Sequence, residues 1–382
     1  MLKENTPLRV VAADDSPVMR SVLHMIFELH ARDTASSWPR MELCEVVSDG
    51  AEALDAVERQ SPDVLLLDVE MPRLDGLGVL RKLKAQGMTV PVILCSAHTG
   101  SGTRTTLDAL ALGAKDYVTK PGQHLDFAAA MTQLMQQLIP KIALLGSKRR
   151  ALALQSLVSG MGMSARDLRL GSAEVVVIAV STGGPSALEV LLPALPSDFP
   201  VPILIVQHMP KQFTGALAER LAQLCRLRVR EAHAGEPVRR GTIWLAPGDA
   251  HMEIGNGAGP SIRLHRGVPL NSCMPSANYL FSSAARVYGP SALAVVMTGM
   301  GVDGLDGARA IHAAGGTVLA QDEASSAVWG MPARVIDAGL AHETVPLTSL
   351  ARAVCERVKR LRSLPHADNW RSLNKEAGHD ML

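Results

Sequence analysis

Cysteine is scarce and unpaired by pattern in this chain of 382 residues: five thiols (Cys44, Cys95, Cys225, Cys273 and Cys355) lie far apart with no CxxC. That excludes a disulfide framework and a structural zinc site, and it fits a reducing compartment. Aromatic residues make up 3% of the chain, too few for base-stacking platforms. Charge of one sign is lacking as well, since 38 Lys+Arg against 37 Asp+Glu leave a formal charge of +1. A chain so nearly neutral has no field to hold nucleic acid, and it carries no basic recognition helix. Long hydrophobic runs are missing. Stretches such as Val175–Val180 are strand-length, well short of the roughly 18 residues that span a bilayer. Residues 1–15 lack the charged-then-apolar layout of a secretory leader. The expectation is a cytoplasmic protein with no nucleic-acid partner and no insertion into membrane.

What is present is globular: 47% hydrophobic and 20% charged residues, in a length that suits two domains at roughly 100–200 residues each. The first part alternates apolar strands (Leu8–Ala12, Glu45–Val47, Val64–Leu67, Val90–Cys95, Asp116–Val118) with helical patterns, the last running from about Leu125 to Leu145. Strands apolar throughout and alternating with helices predict a parallel sheet covered on both faces. The basic turn Gly146–Arg150 and a Gly-, Ser- and Met-rich stretch then read as a linker over 146–172, part of it helical. A second βα series starts at Val175–Val180 and continues through Ile203–Gln207, Thr242–Ala246, Ala292–Met297 and Thr317–Ala320, with an antiparallel edge expected between Trp244 and Leu264. The last residues, 366–382, read as a loose tail. The predicted architecture is two α/β domains, each a doubly wound parallel sheet, over 7–128 (its last helix continuing to about 145) and 173–365.

In open parallel sheets ligands bind beyond the carboxyl ends of the strands. Asp14 and Asp15 follow the first strand of the first domain, Asp68 ends the third, Ser96 follows the fourth and Lys120 the fifth. Three carboxylates at one rim repel each other unless a hard cation neutralises them, and Mg²⁺ fits an all-oxygen ligand set. A lysine beside them can neutralise a phosphoryl group arriving on a carboxylate, and the Ser96 hydroxyl can bond its new oxygens.

In the second domain Ser181 directly follows Val175–Val180, His208 follows the strand ending at Gln207, and Asp303 lies in a glycine-rich turn after Ala292–Met297. A serine hydroxyl needs a base to become a nucleophile, and the base needs a carboxylate to fix its tautomer. The chain order Ser, His, Asp and the absence of a GxSxG elbow exclude an ordinary α/β-hydrolase. His251, also after a strand, is a rival base; His208 is preferred because it sits nearer the end of a core apolar strand. Two other readings stay open on these residues. Gly183-Gly184 before a helix can cradle a phosphate with Ser181 as a cap. Gly299, Gly301 and Gly304 form a literal GxGxxG with Asp322 eighteen positions beyond, a dinucleotide fingerprint, although it comes after several βα units instead of opening them. Hydrolase, nucleotide-binding domain and non-catalytic module are all compatible with these features.

Asp14-Asp15, the run LLLDVEMPRLDG (Leu65–Gly76), Ser96 and TKPG (Thr119–Gly122) resemble the receiver domain of bacterial response regulators, a flavodoxin-like fold. The resemblance implies that Asp68 accepts a phosphoryl group from a sensor kinase's histidine, and that Asp14, Asp15, Asp68 and the backbone carbonyl of Glu70 hold Mg²⁺. The longer connection His30–Met41 departs from that pattern. Receiver, linker, STGGP (Ser181–Pro185), QHMP (Gln207–Pro210) and TGMGVDG (Thr298–Gly304) together resemble the chemotaxis protein-glutamate methylesterase family over about residues 7–360. That resemblance implies a Ser181–His208–Asp303 triad, with Thr182 and Met300 lining the oxyanion site and His251, in APGDAH (Ala246–His251), near the cleft. It further implies hydrolysis of glutamate γ-methyl esters on chemoreceptors, glutamine deamidation as a side activity, activation by phosphorylation, and a chemotaxis-type sensor histidine kinase as partner. No cofactor is implied for the ester chemistry. Asn278 stands where the family more often has Asp, a departure that bears on substrate contacts. Cys273 close by reads as an ordinary semi-buried thiol.

Overall fold

In a computed structural model of the chain, residues 6–96, 100–120, 126–155 and 173–358 are described. The first unit runs β1 (Leu8–Ala13), α1 (Pro17–Arg32), β2 (Met41–Val47), α2 (Gly50–Gln60), β3 (Val64–Asp68), α3 (Gly76–Ala85), β4 (Val92–Ser96), α4 (Gly100–Leu112), β5 (Asp116–Thr119) and α5 (Phe127–Gln155). Its strands pair in parallel in the order β2-β1-β3-β4-β5. Parallel pairing requires crossover helices, which cover both faces, so β3 and β4 are buried from end to end. Local chemistry starts the helices: Ser16, Asp49 and Asp75 accept the free N–H groups of the first turns of α1, α2 and α3.

α5 passes through Pro140 and ends only at Gln155, so Gly146–Arg150 is helical where the sequence suggested a turn. Gly146 marks close approach, because a Cβ there would come within 3.2–3.3 Å of the Leu8 and Val64 side chains. The basic residues are anchored: Arg150 pairs with Asp63 and donates to the carbonyls of Thr6 and Pro7, while Lys148 donates to the carbonyls of Glu323 and Ser326 in the second unit. Residues 156–172 of the expected linker and the tail 366–382 lie outside the described residues.

The second unit comprises β6 (Val175–Val180), α6 (Gly184–Leu191), β7 (Ile203–Gln207), α7 (Lys211–Leu224), β8 (Arg228–Glu231), β9 (Thr242–Leu245), β10 (His251–Asn256), β11 (Pro260–His265), α8 (Ala277–Tyr288), β12 (Ala292–Val296), α9 (Leu305–Ala313), β13 (Thr317–Gln321), α10 (Met331–Asp337), β14 (Glu343–Val345) and α11 (Leu347–Val358). Seven strands form one parallel sheet in the order β14-β13-β12-β6-β7-β9-β8. The expected antiparallel edge is corrected: β10 and β11 form a separate antiparallel pair, and the sheet's edge strand β8 is parallel to β9. β8 (RVRE) has three charged residues in four and lacks an apolar run, so its sequence carries no strand signal. From β6 the chain moves outward through β7 to β9 and β8, then returns to the other side of β6 for β12. Adjacent β6 and β12 thus feed connections that diverge, which opens a crevice at their carboxyl ends.

The first unit lies against this crevice. Its β5 and α4 meet α6, α7 and the loop after β6: the Tyr117 and Phe213 rings are 4.6 Å apart, Ser186 Oγ donates to the Leu110 carbonyl at 2.9 Å, and Arg220 pairs with Asp108 and Glu189.

Candidate active site

At the rim of the first sheet, Asp14 directly follows β1 and Asp68 ends β3, and ligand oxygens of Asp14, Asp15 and Asp68 lie within 4.8 Å of one another. Lys120, after β5, holds its Nζ 2.6 Å from Asp68 Oδ2 and 2.8 Å from Asp14 Oδ2. Burial pushes the Asp68 carboxyl up to about 6 in spite of Lys120, and the Asp14 charge adds to the rise. Asp14 Oδ2 is buried and, apart from that ion pair, accepts no hydrogen bond. Hard oxygen donors gathered at one rim, with only Lys120 to neutralise them, suit Mg²⁺. Ser96 is buried, and its hydroxyl is hydrogen-bonded to Thr106 Oγ1 at 2.7 Å, so bonding to a phosphoryl group requires exchanging that partner. Glu70 is exposed in the bend after β3. Pro121 and Gly122 of the TKPG run lie outside the described residues.

In the second sheet, Ser181 follows β6, His208 follows β7 and Asp303 stands in the turn between β12 and α9. His208 Nε2 lies 2.7 Å from Asp303 Oδ2. Asp303 is 2% exposed and fully satisfied: Ser276 Oγ donates to Oδ1 and the Ala277 N–H to Oδ2, each at 2.6 Å. Burial alone would raise its pKa, but the bonds from His208, Ser276 and Ala277 hold the carboxyl below its usual range. For His208 burial opposes protonation, and the bonds to Asp303 and Cys273 outweigh it, raising the imidazole to about 9. Its other nitrogen, Nδ1, faces Cys273 Sγ at 3.8 Å. Cys273 is therefore part of the crevice, where the sequence suggested an ordinary thiol. Ser181 and His208 line one cavity of about 470 Å³ with Thr182, Gln207, Cys273 and, from the first unit, Asp116. Ser181 Oγ makes no hydrogen bond to a described residue.

Two glycines make this geometry possible. Gly183 has φ +76°, and a Cβ at Gly299 would fall 2.7 Å from Ser181 Cβ and 2.5 Å from Met331 Sδ. Gly299 thus serves close approach of two loops. The GxGxxG turn leads into α9 with Gly304 as its cap, and Asp322, the expected ribose ligand, instead accepts from the backbone N–H and hydroxyl of Ser325. No observation favours a dinucleotide there.

The remaining expected residues divide. Thr182 is buried beside Ser181, and its hydroxyl donates to Asp116 Oδ2 of the first unit at 2.6 Å. Met300 is half-buried and is not among the residues lining the cavity of Ser181 and His208. His251 is fully buried behind the crevice: its Nδ1 accepts the Ser276 N–H at 3.1 Å and its Nε2 lies 3.2 Å from the Val268 carbonyl. It contacts Asp303 only through Ser276, and burial lowers its pKa. Asn278, 4% exposed, accepts the Gly307 N–H of α9 through Oδ1, so its departure from Asp falls inside the fold, between α8 and α9. Sequence reasoning missed Ser276 and Asp116. Ser276 caps α8, a role any serine before a helix can fill, and Asp116 is remote in the chain.

A family model for the CheB methylesterase matches residues 176–354, and one for the response regulator receiver domain matches residues 10–132. The protein-glutamate methylesterase/protein-glutamine glutaminase of Trichodesmium erythraeum is 41% identical over 355 residues, 92% of this chain and 99% of its own. The protein of the same name from Nocardioides is 40% identical over 362 residues, covering 93% and 96%. The crystal structure of the Thermotoga maritima CheB methylesterase catalytic domain, 40% identical, covers 48% of this chain and 98% of its own, with a TM-score of 0.48. With a receiver domain, a methylesterase domain and relatives that align along nearly its whole length, the chain belongs to the protein-glutamate methylesterase/protein-glutamine glutaminase family.

Proposed function

We propose that this chain hydrolyses glutamate γ-methyl esters on methylated chemoreceptors by a Ser181–His208–Asp303 triad, under control of phosphorylation at Asp68. The observation that carries the proposal is the His208–Asp303 bond of 2.7 Å in the same crevice as Ser181. Asp303 occupies Nε2, so Nδ1, which otherwise meets only the weakly bonding Cys273 Sγ at 3.8 Å, is the nitrogen to take the Ser181 proton. Ser181 Oγ attacks the ester carbonyl, Asp303 stabilises the imidazolium, and His208 returns the proton to departing methanol. Water then hydrolyses the glutamyl-enzyme by the same route; with a glutamine side chain, ammonia leaves in place of methanol. The backbone N–H of Thr182, which lines the cavity, donates to no described residue and is the oxyanion donor of choice; the Met300 N–H, equally unused and next to Gly299 where that loop approaches Ser181, is the second candidate. One such donor is typically worth about 3 kcal/mol of barrier.

The first unit is the regulator. Asp14, Asp15, Asp68 and the Glu70 carbonyl would hold Mg²⁺, which supplies charge neutralisation for phosphoryl transfer from a sensor kinase histidine. With the first unit packed on the crevice through Thr182 and Asp116, receptor access is restricted, and phospho-Asp68, by drawing in Ser96 and Lys120, weakens that packing. The test is methanol release from methylated receptor by wild type and Ser181→Ala, with and without a small phosphodonor and Mg²⁺. Release that requires Ser181 and rises with phosphodonor is expected; no release from wild type in either condition overturns the assignment.

A further inference from the structure

The base nitrogen of His208 does not face solvent alone. Cys273 Sγ stands 3.8 Å from Nδ1, and on the far side of the ring Asp303 holds Nε2 at 2.7 Å. Ligand atoms of His208, Cys273 and Asp303 all lie within 4.8 Å of one another. A tetrahedral Zn²⁺ with Zn–S of about 2.3 Å and Zn–N of about 2.0–2.1 Å separates its sulfur and nitrogen ligands by about 3.6 Å. A shift of a few tenths of an ångström in the thiol therefore converts the observed pair into two zinc ligands. A carboxylate on the remaining N–H of a metal-bound histidine is the usual outer partner, fixing the tautomer and raising ligand basicity. Asp303 already has that position. The turn presenting the thiol is tight: Asn271 and Ser272 both have positive φ (52° and 61°), Leu270 and Cys273 exchange backbone hydrogen bonds, and Cys273 Sγ donates to the Asn271 carbonyl at 3.4 Å. The adjoining cavity of about 470 Å³ has room for the waters that complete a zinc coordination sphere. A soft thiolate selects Zn²⁺ over the Mg²⁺ suited to the Asp14, Asp15 and Asp68 oxygens.

We propose that His208 Nδ1 and Cys273 Sγ form an inhibitory site for a thiophilic divalent cation, Zn²⁺ above all, in the esterase crevice. Binding releases the thiol proton and, where His208 is an imidazolium, its Nδ1 proton, and the metal then holds the lone pair with which His208 would accept the Ser181 proton. Inhibition rests on the assignment of His208 as base; metal binding does not.

The full-length chain, with saturating Mg²⁺ to fill the first unit's site, is titrated with Co²⁺ as a spectroscopic stand-in and with Zn²⁺ as inhibitor. Wild type is expected to develop a thiolate-to-cobalt charge-transfer band that Zn²⁺ displaces and that Cys273→Ser lacks. In methanol release, each enzyme normalised to its own zinc-free rate, Cys273→Ser is expected to need at least about tenfold more Zn²⁺ for half inhibition, the low end of what losing even an outer partner costs a metal site. The site is overturned by a missing band in wild type, by a band that persists in Cys273→Ser, or by equal zinc sensitivity of the two. Should wild type release no methanol, the esterase assignment fails while the cobalt band still decides the metal site.

Discussion

Removing one carboxylate of the first unit should switch on the second. Asp116 is 6% exposed, and its Oδ2 accepts from Thr182 Oγ1 at 2.6 Å across the boundary between the units. Lys141 Nζ lies 2.9 Å from the same oxygen and also donates to the Tyr117 carbonyl at 2.7 Å, so it keeps a partner when the carboxylate is removed. A hydrogen bond to a charged group contributes about 1.5–3 kcal/mol. Taking about 2 kcal/mol for Asp116→Ala, the ratio of closed to open forms falls roughly 30-fold, since every 1.4 kcal/mol is tenfold. The Tyr117–Phe213 contact and the Arg220 pairs remain, so the units stay tethered. The assay is methanol release without phosphodonor. Basal rate should rise by up to about 30-fold, with the phosphodonor-stimulated rate unchanged and the stimulation ratio shrinking to match. The same gain should appear in Asp116→Ala combined with Asp68→Asn. A basal rate within twofold of wild type, in a variant with unaltered circular dichroism, would refute the latch. A fall in the stimulated rate instead would mean that Asp116 acts on chemistry through Thr182.

Two further outcomes follow from charge and burial. The His208 imidazole is raised to about 9, and a general base works only when neutral, so basal kcat/KM should climb with pH to a half-maximum near pH 9; a limb near pH 6.5 would contradict the Asp303 and Cys273 contacts. Asp68, raised to about 6 by burial, binds a proton more tightly folded than unfolded, so its stabilising contribution is present at low pH and is lost as pH rises through about 6. Mg²⁺ needs the carboxylate form and offsets that loss, so the increase in Tm on adding Mg²⁺ should be larger at pH 7.5 than at pH 5, and equal increases at both would count against the cluster as its site.

Much of this protein is legible in its residues. Apolar runs such as Val175–Val180 and Val64–Leu67 can only be strands buried on both faces, and their alternation with helices dictates parallel sheets. Because such sheets bind ligands at strand carboxyl ends, Asp68, Ser181, His208 and Asp303 stood out by position alone. Tertiary structure decided what local pattern does not encode. The return of the chain to the far side of β6 brings Asp303 beside His208, and side-chain packing turns His251, the rival base, inward onto Ser276, in line with the preference for His208 read from its strand end. Gly146 read as a turn because conformational freedom and close approach call for the same residue, and only the neighbouring Leu8 and Val64 tell them apart. The pairings Thr182–Asp116 and Cys273–His208 join residues far apart in sequence, 66 and 65 positions respectively. Each is set by how separate elements pack, and no periodicity or spacing along the chain carries that information.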